Sequence, residues 1–192
     1  MKQIVQALRD GQMSVLDVPM PVVGAQAVLV RNHFSLVSAG TEGSTVRTAR
    51  KSLLGKALER PQQVLQVLDV ARHQGPLAAY RAVSKKLDAY SPLGYSSAGV
   101  VVEVGSNVSG FVVGDKAACA GVGYANHAEL VAVPQSLCVK LSGDADLERA
   151  CYNTLGAIAL QGVRQADLRL GESCAVIGLG LLGQLRGQSE DP

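Results

Sequence analysis

The run Gly178-Leu179-Gly180-Leu181-Leu182-Gly183 constrains the fold more than any other stretch of the chain. It follows directly on Ser173–Ile177, which small and β-branched residues mark as a strand. A helix patterned by Leu147, Ala150, Cys151, Thr154, Ala157, Ile158 and Gln161 precedes that strand. A strand entering a helix through G-x-G-x-x-G opens a dinucleotide-binding βαβ unit, and each glycine has its own task. Gly178 permits the tight turn, Gly180 lets the backbone approach a pyrophosphate, and Gly183 lets the next helix lie close to the strand. The helix N-terminus then offers N–H groups to the phosphates. The spacing alone also fits a glycine-rich strand-to-helix turn that holds no ligand. Only Gln184–Pro192 follows, and Gly187 and Pro192 are poor helix residues. The second strand of the unit, with its ribose-binding acidic residue, is not in this sequence. The expectation is a truncated, frameshifted or spliced end, leaving an apolar strand with open edges that favours self-association.

Upstream, the hydrophobic period changes twice. Ile4–Leu8 and Met13–Val18 flank Asp10-Gly11 and read as a hairpin. Ala27–His33 reads as a further strand, and Ser38–Gly43 as a polar loop after it. Val46, Ala49, Leu53, Ala57 and Arg60 then recur at helical spacing. Pro61 opens a second helix with Val64, Leu65, Leu68 and Ala71 on its apolar face. Gly75-Pro76 closes that helix and opens a third, through Ala79, Tyr80, Val83 and Leu87. Strand period returns in Gly99–Val104, Lys116–Ala120 and Ala128–Val133, punctuated by glycine turns. The pattern predicts a mainly β fold with α: a small coiled β-domain over residues 1–145, a helical insertion at about 44–90, and the start of a nucleotide-binding α/β unit over 146–192.

Composition narrows the functions. The chain has 192 residues, 47% of them hydrophobic, enough for two cores but not for a large two-domain enzyme. The net charge of +2, the absence of Trp and only 4% aromatics argue against a nucleic-acid partner. No apolar run has the length to cross a bilayer, and MKQIVQALRDGQ lacks a signal-peptide core, so a cytoplasmic location is expected. Residues 47–90 carry nine basic against three acidic side chains. This block reads either as a solvated helical surface or as a face toward an anionic partner, such as a phosphate-bearing substrate or another subunit. Cys119, Cys138, Cys151 and Cys174 form no C-x-x-C pair and are expected to be buried free thiols. His33 is expected to pack in its strand. His73 falls in a last helical turn, where a cation is favoured. His127 reads as a packing residue or a cleft base.

Several segments occur in order: RNHFSLVSAGTEG at 31–43, LGYSSAG at 93–99, GFVVGD at 110–115, YANHAELVAVP at 124–134, NTLGAIALQG at 153–162 and VIGLGLLG at 176–183. Through them the chain resembles the medium-chain dehydrogenase/reductase family, of the zinc-type alcohol dehydrogenase-like kind. The subgroup it looks most like is the N-terminal, alcohol-dehydrogenase-like half of bi-domain oxidoreductases linked to polysaccharide biosynthesis. The resemblance implies a GroES-like β-domain followed by a Rossmann domain, here incomplete. It also implies hydride transfer between NAD or NADP and a carbonyl or alcohol carbon. The family's catalytic-zinc cysteine falls at Ser38. Its Gly-His-Glu stretch reads Gly94-Tyr95-Ser96, and its third ligand falls near Ala150, with Cys151 one place off. Hydroxyls are poor zinc ligands beside thiolate and imidazole, so no zinc is expected.

The candidate catalytic residues are Ser38, Thr41, Glu42 and Tyr95. Thr41 could bond a substrate hydroxyl or the nicotinamide ribose, Glu42 could act as acid or base, and Tyr95 could donate a proton to a carbonyl. Turn and capping chemistry is an equal reading of the first three, and packing beneath the Val-rich strand is a second reading of Tyr95. The candidate cofactor contacts are Thr154, Gly178, Gly180, Leu181 and Gly183. The expected partner is a small molecule, phosphorylated or sugar-nucleotide-like. The chain alone is expected to be inactive. A non-enzymatic GroES-like module that binds a small molecule or a subunit is the competing function.

Overall fold

A computed structural model describes residues 1–49, 61–169 and 171–187. They fall into two compact units. One comprises Met1–Pro19 and Val37–Leu93, the other Met20–Leu36 and the residues from Gly94 onward.

In the first unit, β1 (Lys2–Ala7) pairs antiparallel with β2 (Met13–Asp17), from Lys2↔Asp17 to Gln6↔Met13. The predicted hairpin turn forms around Gly11, which adopts φ +76°, and Asp10 Oδ1 accepts the Gln12 N–H at 2.9 Å. A short strand that the sequence pattern did not reveal, β4 (Tyr90–Pro92), joins the other edge of β1 and completes the order β2-β1-β4.

Among the described residues, three helices lie between β3 (Ala27–Ser35) and β4 in the chain: α1 (Ala39–Ala49), α2 (Pro61–Gln74) and α3 (Pro76–Leu87). Pro61 starts α2, and Gly75 at φ +89° separates α2 from α3, as the pattern predicts. The expected polar loop at 38–43 is instead mostly helical, because α1 begins at Ala39. The helical stripe through Leu53, Ala57 and Arg60 lies outside the described residues. Leu65, Leu68, Leu77 and Tyr80 are exposed, so much of the expected apolar face of this block meets solvent.

The second unit is built on a five-stranded antiparallel sheet in the order β7-β3-β5-β6-β8, where β5 is Ser96–Val104, β6 Lys116–Ala120, β7 Leu130–Pro134 and β8 Cys138–Lys140. Two register shifts interrupt the pairing of β3 with β5: Val102 of β5 is extra opposite Leu29 and Val30, and His33 of β3 is extra between Asn32 and Phe34. Bulges bend and twist a strand, which coils this sheet. Its core gathers Val28, Val30, Val101, Ala117, Cys119, Ala125, Val131 and Val133. Each such valine contributes on the order of 1.5–3 kcal/mol through burial. Gly99 sits where a Cβ would fall on the carbonyl oxygen of Arg31, so the approach of β5 to β3 requires glycine there.

Beyond the sheet, Asp146 caps α4 (Leu147–Ala150), its Oδ1 accepting the N–H groups of Glu148 and Arg149. α5 (Asn153–Ala166) follows, and α6 (Leu181–Gly187) comes after the glycine run. A second cluster joins Leu36, Tyr95, Ala98, Leu147, Cys151 and Leu155. The expected strand Ser173–Ile177 does not form, and Ile177 is fully exposed. A strand exists only through hydrogen bonds to a neighbour, and no described strand runs beside these residues. The stretch after α5 therefore contains one helix, α6, and no strand among the described residues.

Candidate functional site

At the start of α1, Ser38 is buried, and the Glu42 side chain reaches back to accept the Ser38 backbone N–H at 3.1 Å. Ser38 Oγ lies 3.5 Å from Thr41 Oγ1. The three polar residues read from the sequence are thus one cluster at a helix N-terminus. A carboxylate there satisfies an N–H that the helix cannot, and it is favoured by the helix dipole.

In the second unit, Tyr95 is buried in the cluster with Leu36 and Leu155. Its carbonyl oxygen accepts Thr154 Oγ1 at 3.2 Å, so the structure brings these two candidates together. The Thr154 N–H donates to Ser96 Oγ at 3.3 Å, and Ser96 Oγ donates to the Cys151 carbonyl at 2.7 Å. Asn153 Nδ2 faces three carbonyl oxygens, those of Ser97, Cys119 and Ala150, at 3.1–3.2 Å. Sequence reasoning named Thr154 but missed Ser96 and Asn153, whose roles depend on a sheet edge meeting a helix start. The start of α5 is therefore fastened to β5 and β6 through side chains.

The glycine run forms the third group. Gly178 adopts φ +99°, and a Cβ on Gly183 would collide with the Gly178 carbonyl oxygen. α6 begins at Leu181, and its first turn is marked by Gln184 N–H bonding to the Gly180 carbonyl at 2.9 Å. The N–H groups before Gln184 have no intrahelical acceptor, as in any first turn. This backbone fits the pyrophosphate cradle that the spacing suggests: the turn needs a positive φ, and the helix folds back too closely for a side chain at Gly183.

The histidines divide differently from expectation. His33 is exposed rather than packed. His127 is buried, with its Nδ1 2.8 Å from Ser35 Oγ, and a Cβ on Gly94 would press on its ring and backbone. His73 pairs with Asp69 on the surface of α2. Among the cysteines, Cys174 is exposed, against expectation, because the segment carrying it joins no described sheet. Burial, then the Glu148 and Asp146 carboxylates, push the Cys151 thiol up, and its Sγ donates to the Glu148 carbonyl at 3.0 Å.

A coiled antiparallel sheet with inserted helices, leading into a glycine-turned α/β stretch, defines a GroES-like domain of the alcohol-dehydrogenase type. Residues 65–143 match the alcohol dehydrogenase GroES-like domain family. The D-guloside 3-dehydrogenase of Shigella flexneri is 34% identical over 97 residues, which are 48% of this chain and 26% of that protein. This chain thus aligns with about a quarter of the length of that relative. The fold also matches galactitol-1-phosphate dehydrogenase from Escherichia coli, with TM-score 0.70 at 17% identity, over 98% of this chain and 52% of that one. Quinone oxidoreductase from Escherichia coli, solved with NADPH, gives TM-score 0.57 at 13% identity, over 86% of this chain and 41% of that one. The chain is thus similar in sequence, over part of its length, and in fold to dehydrogenases and reductases of the alcohol dehydrogenase type.

Proposed function

We propose that the chain is the substrate-side domain and nucleotide-binding start, divided near residue 145, of an NAD(P)-dependent oxidoreductase acting on a sugar-like or other alcohol. The observation that carries this reading is the glycine turn, where Gly178 takes a positive φ and Gly183 must lack a side chain. The relatives named above, which act on a guloside and on galactitol 1-phosphate, support a polyol or sugar substrate.

When bound, the nicotinamide supplies or accepts the hydride. Gly178, Gly180, Leu181 and Gly183 would hold its pyrophosphate through backbone N–H groups. Thr154 would contact the cofactor from a position that its bonds to Tyr95 and Ser96 fix in advance. Thr41 orients a substrate hydroxyl, and Glu42 or Tyr95 moves the proton that accompanies the hydride. Ser38 positions Glu42 through its N–H. The reaction is zinc-independent. Ser38 and Tyr95 stand where the family's zinc branch has better ligands, and Cys151 is held as a neutral thiol that donates to a carbonyl.

The isolated chain does not transfer hydride, because residues 172–179 form no strand to seat the turn. Hydride transfer requires near-contact geometry, and proximity is worth several kcal/mol in such steps, up to about 7–11. The test is calorimetric titration of this chain with NADH and NADPH, beside a chain extended through a complete Rossmann domain. Binding by the extended chain alone is expected. Micromolar binding by the short chain would overturn its proposed inactivity, and no binding by either would refute the dinucleotide assignment.

A further inference from the structure

Cys119 and Cys138 are register partners on β6 and β8, and their Sγ atoms are 3.8 Å apart. The Leu141 N–H donates to the Lys116 carbonyl at 2.9 Å, one step beyond the pair Ala117↔Lys140. Antiparallel pairs alternate between hydrogen-bonded and non-hydrogen-bonded positions, so Cys119↔Cys138 falls at a non-hydrogen-bonded one. Such pairs hold their Cα atoms about 4.5 Å apart with the side chains close. That separation lies within the span of a disulfide, about 4.4–6.8 Å. The sulfurs need only close to about 2.05 Å, a change that side-chain rotation supplies.

The two thiols are unequal. Cys119 is fully buried among the valines of the sheet core, and Cys138 is partly exposed on the edge strand. With Cys119 donating its S–H to the Cys138 sulfur, that bond and burial push the Cys119 thiol up. The same bond holds the Cys138 thiol below its ordinary value. An accessible, acidified thiol with a second thiol behind it is the arrangement of an oxidisable pair.

We propose that Cys119 and Cys138 form a reversible thiol–disulfide site whose oxidant is hydrogen peroxide. The Cys138 thiolate attacks one peroxide oxygen; the S–O bond forms, the O–O bond breaks, and the departing hydroxide takes up a proton to become water. The Cys119 sulfur then gives up its proton and attacks the Cys138 sulfenic sulfur. The S–S bond forms, the S–O bond breaks, and the hydroxyl leaves with that proton as a second water. Two electrons pass from the dithiol to the peroxide. The product pins the three-residue edge strand β8 to β6 at Cys119, whose carbonyl also receives Asn153 Nδ2, one residue before Thr154.

The experiment treats the full chain with hydrogen peroxide, alkylates the remaining thiols and maps the peptides by mass spectrometry. Loss of two alkylatable thiols per chain, a Cys119–Cys138 linked peptide and recovery with dithiothreitol are expected. In Cys119→Ser, peroxide should leave a Cys138 sulfenic acid that dimedone traps. A link through Cys174 or between chains instead, or Cys138 oxidised past sulfenic acid while Cys119 stays alkylatable, would overturn the proposal. Peptide mapping of the unsubstituted chain decides the matter if the variant does not fold.

Discussion

The hydroxyl of Ser96 donates to the carbonyl oxygen of Cys151 at 2.7 Å and accepts the N–H of Thr154 at 3.3 Å. One buried side chain thus serves the end of α4 and the start of α5. Ser96→Ala removes both bonds and strands two backbone groups. The loss should be about 1–3 kcal/mol, because an unsatisfied buried partner costs more than a bond contributes. Urea unfolding of the variant beside the parent measures it, and an unchanged midpoint would show that the bonds are replaceable.

Gly94→Ala should destabilise by about 2–4 kcal/mol, from left-handed backbone strain together with overpacking. Gly94 adopts φ +98°, and a Cβ there would sit 2.6 Å from the His127 nitrogen. Gly110→Ala is the control, since Gly110 has a similar φ of +87° but open space around it. Thermal unfolding of the two variants should separate strain from collision, with Gly110→Ala losing less. Equal losses would rule out the contact with His127 as a cause.

Acid should weaken the turn before β6. Lys140 Nζ lies 2.7 Å from Asp115 Oδ2, which also accepts the Val112 N–H at 2.8 Å. The Lys140 bond first, and the Val112 N–H second, hold the Asp115 carboxyl below its ordinary value of 3.8. A depressed carboxyl contributes stability that is present above its unfolded value and is lost as the pH falls through its folded value. The stability gap between the parent and Asp115→Asn should therefore be constant above about pH 4 and narrow in more acidic solution. A gap that widens toward acid would contradict this.

Protein purified without chelator should carry no stoichiometric zinc. Ser38 and the pair Tyr95-Ser96, which the sequence resemblance sets at the zinc-ligand positions, offer hydroxyls in place of thiolate and imidazole. Metal analysis giving one tightly held zinc per chain would refute this.

Strands whose own alternation or apolar content is strong were legible in the sequence: β1, β2, β3, β5, β6 and β7 lie close to where their residues predict. The boundaries of α2 and α3 were legible too, because Pro61 and Gly75 act locally. The start of α1 was not, since Ser38-Ala39-Gly40-Thr41-Glu42-Gly43 has the composition of a turn. What makes it helical is a contact, the Glu42 carboxylate on the Ser38 N–H. β4 and β8 are three residues each, too short to show a period. Missing β8 also hid the partnership of Cys119 and Cys138, which strand register alone would have revealed. The error at Ser173–Ile177 runs the other way. Those residues have strand propensity, but propensity supplies no neighbour to bond.

The burial pattern of β3 has a consequence for tolerance to mutation. In a regular strand, sensitivity to polar substitution rises and falls with every second position. Here Val28, Leu29 and Val30 are all buried in succession, at 0%, 3% and 0% exposure, beside a register shift whose extra residue, Val102, lies on β5. A systematic substitution scan of β3 should therefore return a contiguous intolerant block at 28–30 rather than a comb. Deleting a single residue there should be worse than any one replacement, because it would turn the parity of every side chain upstream against that of every side chain downstream.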